Sequence, residues 1–214
     1  MSTRIKFCGI TRLHDAELAV SLDAWAIGMI LWPGSPRAVS PEVAAGIAAE
    51  VRRKLEIVGV FVNPSLDEVA ATADVIGLTI VQLHGQEGPA FCAEVARRTG
   101  CRVIKAARVR GLADIQALAP FHTDFHLLDS YVAGVPGGTG ETFAWDLVAA
   151  RRAKVPLILS GGLTAANVGE AIAAVGPYAV DVASGVEASP GIKDAQRTRD
   201  FARAVADTVQ SATA

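Results

Sequence analysis

Residues 57–62 read Ile-Val-Gly-Val-Phe-Val, an apolar run without the alternation of a half-exposed strand. It leads through Asn63-Pro64-Ser65 into an amphipathic stretch from Leu66 to Asp74. A strand buried on both faces, a turn, and a helix laid back across it form the unit of an α/β fold with a parallel sheet. Ser65 followed three residues later by Glu68 spells a capping box, so the helix start is marked as well.

The same unit recurs in both directions along the chain. Short β-prone runs occur at Ile5–Cys8, Ala26–Leu31, Ile57–Val62, Ile80–Leu83, Val103–Ala106, Phe125–Asp129, Leu157–Ser160 and Ala179–Ala183. Helical candidates follow at Arg12–Leu22, Pro41–Lys54, Leu66–Asp74, Pro89–Arg98, Leu112–Ala119, Trp145–Ala150, Ala165–Val175 and Ala195–Val209. Ser40-Pro41 and Thr164 mark two of the helix starts. Eight β-α units in 214 residues, about 27 residues each, predict one α/β domain over residues 1–214, a (β/α)8 TIM barrel with parallel strands. A doubly wound open sheet is the alternative, but no G-x-G-x-x-G follows the first strand and the units are nearly equal in length.

Composition narrows the partners. A net charge of -2 offers no global field for nucleic acid or an anionic membrane, so an anionic ligand has to be held by local donors. A small-molecule site is therefore favoured, with no nucleic acid and no membrane; the glycine turns after the seventh and eighth strands make the expected partner a phosphorylated one. The longest unbroken apolar run, Ala24 to Trp32, has nine residues, about half of what spans a bilayer. Cys8, Cys92 and Cys101 are odd in number and lack Cys-x-x-Cys spacing, which argues against a disulfide framework and a structural zinc and for a reducing, cytoplasmic setting. No metal or cofactor is expected, and the chain is read as a monomer or homodimer.

The chemistry gathers at the strand ends. Arg4 to Thr11, RIKFCGIT, delivers Cys8 to the C-terminal end of the first strand, with Thr11 placed to cap the following helix. In a parallel barrel that end carries the reaction, although a lone buried cysteine reads first as a small hydrophobe. GMILWPGSPRAV, residues 28–39, brings Arg37, whose planar fork suits a carboxylate or phosphate and equally a neighbouring acid. Gln82-Leu83-His84-Gly85 ends the fourth strand with an imidazole that has a direct or a structural role; Lys105, near the end of the fifth, stays ambiguous.

The sixth strand ends Leu127-Leu128-Asp129-Ser130 and enters a glycine-rich loop, Tyr131 to Thr142. An acid emerging from an apolar strand under such a cover suits proton transfer, because partial burial raises its pKa. Gly161-Gly162 after the seventh strand and Ser184-Gly185 after Asp181 at the eighth let backbone N–H groups approach an anion, where barrels commonly hold a phosphate.

Taken together, KFCGIT, the SPR of GSPRAV, VGVFVN, VQLHG, LLDS with GGTGETFAW, LSGGLTAANV and DVASGVEASPG-x-KD resemble the phosphoribosylanthranilate isomerase family of tryptophan biosynthesis, in family order over nearly the whole chain. Ala183, Gly34 and Ile192 depart from residues common in the family. The resemblance implies a cofactor-free Amadori rearrangement with Asp129 as the acid that opens the ribose ring and Cys8 as the base that removes the C2 proton. It further implies Arg37 on the anthranilate carboxylate, Gly162, Ser184 and Gly185 on the phosphate, and His84 and Asp181 on the sugar or amine. Cys8 then needs local stabilisation of its thiolate. Two other readings stand beside it. One is a silent barrel that only binds a phosphometabolite; the other is an enzyme similar to indole-glycerol-phosphate synthase, which shares the phosphate loops but reacts through lysine and glutamate.

Overall fold

The computed structural model describes residues 3–129, 145, 148, 151 and 153–211. Eight strands, β1 (Arg4–Cys8), β2 (Ala26–Ile30), β3 (Glu56–Phe61), β4 (Ile80–Leu83), β5 (Arg102–Arg108), β6 (Phe125–Asp129), β7 (Leu157–Ser160) and β8 (Ala179–Val182), close into a barrel in sequence order. Every pairing is parallel, including the β1–β8 seam that sets Lys6 opposite Asp181. Each expected run is thus a strand. Only β5 differs noticeably, reaching on to Arg108 because its last residues pair with β6 as far as Asp129.

Among the described residues the helices are α1 (Leu13–Ser21), α2 (Pro41–Val51), α3 (Leu66–Ile76), α4 (Pro89–Thr99), α5 (Leu112–Gln116), α6 (Val168–Val175) and α7 (Ala195–Ser211). Ser40 caps α2 with Pro41 in its first turn, and Ser65 and Glu68 form the full capping box of α3. Four starts or stops depart from expectation, the first being α2, which ends at Val51 rather than Lys54. Thr11 caps nothing: its hydroxyl donates to the Gly191 carbonyl, and Arg12 takes the N-cap position of α1 without a side-chain bond. Helix α6 begins at Val168 rather than Ala165, because the Asn167 side chain accepts from Thr164 N and donates to Gly162 O, folding residues 162–167 into a turn. Helix α5 stops at Gln116, where bonds such as Leu118 N to Ile115 O tighten the last turn ahead of Pro120. The expected helix at 145–150 and the glycine-rich loop at 131–142 lie outside the described residues, apart from the buried Trp145 and Val148.

Two apolar layers hold the site in place. Outward strand residues pack under the helices, as where Phe7 meets Phe201 of α7 edge to face at 6.3 Å. Each such fully buried ring contributes roughly 1.5–3 kcal/mol. Inward residues such as Val58, Ile80, Ile104, Leu127 and Ile158 fill the barrel. Trp25 packs edge-on against Phe125 and Tyr178, which tilt against each other, at the N-terminal end, with Arg4 stacked 4.3 Å over Tyr178. The barrel is therefore a solid core, and polar side chains gather at the C-terminal mouth. After β8 comes a 3-10 turn, Ser184–Val186, then a short antiparallel ribbon of β9 (Glu187–Ser189) and β10 (Ile192–Lys193). Among the described residues no helix is long and apolar enough to cross a membrane. The three cysteines are free thiols.

Candidate active site

Alternation along each strand decides what faces the mouth. On β1 it turns Lys6 and Cys8 to the same side, on β6 Asp129, on β7 Ser160 and on β8 Asp181, with His84 just past the end of β4. Asp129 pairs in register with Ser160, and Cys8 with Gly28. Cys8 and Asp129 therefore stand at the C-terminal ends of strands on different arcs of one rim.

Lys6 is fully buried, and its ammonium donates to Asp181 Oδ1 at 2.7 Å. Burial works against that charge, but Asp181 and Cys8 more than offset it and hold the Lys6 pKa above its ordinary value. A Cβ placed on Gly28 would meet Cys8 Sγ at 2.9 Å and Lys6 Nζ at 3.0 Å, so thiol and ammonium flank one spot that only a glycine leaves clear. Burial pushes the Cys8 thiol up from its ordinary value, Lys6 and Lys193 pull it down, and Asp181 pushes it up again; the net direction is up. The expected stabilisation of the thiolate is present as two cations, and burial outweighs it.

Asp129 is shifted above its ordinary value. Burial raises its pKa and Asp181 adds to this, against His84 and Arg108. His84 Nε2 lies 3.8 Å from Asp129 Oδ2, and its Nδ1 faces Gln82 Nε2 at 3.2 Å. Burial pulls the imidazole below its ordinary value, outweighing the two carboxylates, so burial disfavours the charged form of both partners of this pair. Asp181 reaches both halves of the site, since it acts on Cys8 and on Asp129 alike. Its Oδ1 is committed to Lys6, and its Oδ2 lies 3.4 Å from Ser160 Oγ.

Arg37 meets the neighbouring acid that its fork equally suited. Its Nε donates to both oxygens of Glu187, and its Nη2 donates to Glu187 Oε2 at 2.7 Å. Glu187 also accepts from Lys193 Nζ at 3.0 Å, and Lys193 donates onward to Cys8 O at 2.6 Å and Ala183 O at 3.2 Å. Burial pushes the Glu187 carboxyl up, yet Arg37 and Lys193 together hold it below the usual range. The Nε–Nη2 edge of the guanidinium is thus fixed on Glu187.

The two glycine turns come together. Gly161 and Gly162 both adopt positive φ, 99° and 61°, which glycine takes without strain. Gly185 lies so close under the Leu163 carbonyl that any Cβ would run into it. Backbone of the two turns is thereby in contact, with Ser184 and Gly185 opening the 3-10 turn beside Gly162. Such paired turns present N–H groups to one anion.

Sequence reasoning missed Lys6, Lys193, Glu187 and Gln82. For Lys6 a signal existed: two residues before Cys8 on a strand, it shares the thiol's face. Glu187 and Lys193 are brought back by the ribbon after β8, and no local pattern announces that return. Lys105 is structural: it joins Glu87 at 2.7 Å and the Gly85 carbonyl at 2.7 Å, and Glu87 also accepts from Asn63 N. That cluster sets the turn carrying His84.

Residues 5–204 match the family model described as N-(5'phosphoribosyl)anthranilate (PRA) isomerase. The protein named N-(5'-phosphoribosyl)anthranilate isomerase from Pelobacter propionicus is 47% identical over 210 residues, covering 98% of this chain and 99% of that one. The protein of the same name from Geobacter sulfurreducens is 50% identical over 200 residues, covering 94% and 97%. The crystal structure of phosphoribosyl anthranilate isomerase from Thermotoga maritima superposes with a TM-score of 0.89 at 40% identity, over 96% of this chain and 99% of that one. A crystal structure of such an isomerase in complex with reduced 1-(o-carboxyphenylamino)-1-deoxyribulose 5-phosphate gives a TM-score of 0.85 at 37% identity, again over 96% and 99%.

Proposed function

The chain belongs to the N-(5'-phosphoribosyl)anthranilate isomerase family and is an isomerase of tryptophan biosynthesis; from that premise we propose how its residues divide the work. Asp129 gives its proton to the ribose ring oxygen as the C1–O bond breaks, and the anthranilate nitrogen lone pair closes a C1=N iminium. Cys8, as thiolate, then removes the C2 proton, and the electron pair left behind neutralises the iminium to give an enolamine. Transfer of the enol proton to C1 yields the ketose, so no atom is gained or lost overall.

The observation that carries this assignment is geometric: Cys8 and Asp129 end β1 and β6 on one rim, with Asp181 of β8 facing the same mouth. Burial and Asp181 also shift Asp129 towards the protonated form that a general acid needs. Around this pair, Arg37 offers Nη1 to the anthranilate carboxylate, and His84 and Asp181 contact the sugar or amine. The phosphate rests on backbone N–H groups of Gly161, Gly162, Ser184 and Gly185. We read the chain as one catalytic domain over residues 1–214, cytoplasmic, acting on a small phosphorylated substrate as a monomer or homodimer.

The test is turnover of N-(5'-phosphoribosyl)anthranilate by Cys8→Ser and by Asp129→Asn. Each is expected to lose roughly 10²–10⁴-fold in kcat, the usual worth of a positioned acid or base. Near-wild-type turnover in either variant removes that residue from the mechanism.

A further inference from the structure

We propose that Lys6 is a positioning residue of the isomerisation: held in place by Asp181, its ammonium is the cation against which Cys8 ionises to act as base. The proposal rests on the reading of Cys8 as the base. Its foundation is geometric. Lys6 is fully buried and 2.7 Å from Asp181 Oδ1, so the ammonium has one fixed anchor. Strand alternation places Cys8 on the same face, and the probe position over Gly28 lies 2.9 Å from Sγ and 3.0 Å from Nζ.

The other charges near Cys8 are disposed differently. Lys193, from β10, donates to the Cys8 and Ala183 carbonyls and to Glu187. Arg37, from the turn after β2, is committed to Glu187 by two of its nitrogens. Asp181, from β8, opposes ionisation of the thiol, and Asp129, His84 and Arg108 stand at the ends of β6, β4 and β5. Lys6 has a single carboxylate partner at 2.7 Å, and an ammonium has three protons to donate. It is therefore the cation with donors to give the sulfur. During the reaction Lys6 keeps its proton: the C2 proton passes to sulfur, and the pair changes from thiolate–ammonium to thiol–ammonium as the iminium loses its charge. Asp181 thus acts twice, fixing Lys6 while restraining the thiol it serves.

The experiment is a titration of Cys8 by thiolate ultraviolet absorbance, with the Cys8→Ser signal subtracted, alongside kcat and KM. Lys6→Met is expected to move the thiol midpoint upward by about one pH unit or more, a tenfold loss of thiolate. The loss should appear in kcat, with KM little changed. Removing Lys6 leaves Asp181 unpaired, which costs stability, so Gly28→Ala serves as the second variant. Its methyl would meet Sγ at 2.9 Å and Nζ at 3.0 Å, so it wedges the two apart, keeps every charge and moves the midpoint the same way. Asp181→Asn should move the midpoint downward.

Midpoints in Lys6→Met and Gly28→Ala that stay at the wild-type value would overturn the proposal and leave Lys6 as the structural counter-ion of Asp181. Failure of the underlying reading looks different. In that case Cys8→Ser itself turns over, whatever the titration gives.

Discussion

His84 Nε2 stands 3.8 Å from Asp129 Oδ2, beyond hydrogen-bond reach, between an imidazole that burial pulls below its ordinary value and a carboxyl that burial pushes above its own. The Cys8 thiol is also pushed up, from 9.0 against 3.8 for the carboxyl, so thiol with carboxylate is the favoured one-proton form, whereas the proposed reaction needs thiolate with carboxylic acid. Both forms carry the same number of protons, so their ratio does not change with pH between the two midpoints. The expected profile of kcat/KM is a broad plateau. Its acid limb lies above the ordinary carboxyl value of 3.8 and its alkaline limb above the ordinary thiol value of 9.0. Stopped-flow rates across that range check it; an alkaline limb well below the ordinary thiol value would contradict a protonated resting Cys8.

Arg37→Ala should lower both affinity and stability. The affinity loss comes from the ligand carboxylate and the stability loss from Glu187, which keeps only Lys193 as a charged partner. Each is expected to be about 1–3 kcal/mol, the range for losing a charged hydrogen-bond partner. Binding of a product analogue and urea unfolding measure the two separately. Arg37→Lys should restore part of the stability and little of the affinity, because an ammonium lacks the planar fork.

Gly185→Ala and Gly162→Ala should differ sharply. At Gly185 the added methyl runs into the Leu163 carbonyl, a backbone atom that cannot yield without moving the neighbouring turn. At Gly162 a methyl meets open space, and the cost is the positive φ of 61° alone, about 1 kcal/mol. Competition by inorganic phosphate should therefore be nearly lost in Gly185→Ala and largely kept in Gly162→Ala. Equal loss in both would place the anion elsewhere.

Stability should fall in acid. Glu187 and Glu87 are both held below their ordinary value of 4.5, because Arg37 with Lys193, and Lys105 with the Asn63 amide, outweigh burial. A depressed folded-state pKa contributes stability that is present above the ordinary value and lost as pH falls towards the folded one. Asp129 is shifted the other way, so its contribution is present in acid and lost as pH rises past its folded value; one group opposes two. Unfolding free energy measured from neutrality down through pH 4 should decline, and Glu187→Gln should flatten the decline.

The barrel could be read from the chain because strands buried on both faces leave runs such as Ile57–Val62, and because Ser40, Ser65 and Pro41 mark helix starts with local chemistry. The rim positions of Cys8, Asp129 and Asp181 followed from the same runs. What the chain concealed depends on distant returns. Thr11 looks like a cap until Gly191 arrives to take its hydroxyl, and Arg37 looks free until Glu187 folds back beside it. Lys6 gives the plainest instance. A charged residue inside a strand suggests an exposed face, and only Asp181 across the seam explains why it can be buried.

The pair Lys6–Asp181 is separated by 175 positions in the chain. A ribosome adding about 5–20 residues per second needs roughly 9–35 s to travel that interval. Throughout it β1 lacks its β8 neighbour, and Lys6 and Cys8 have no carboxylate at the seam to organise them. The nascent protein thus carries its reactive thiol long before it carries the site. The cylinder shuts with β8, and Glu187 and Lys193, which flank Arg37 and Cys8, follow later still on β9 and β10.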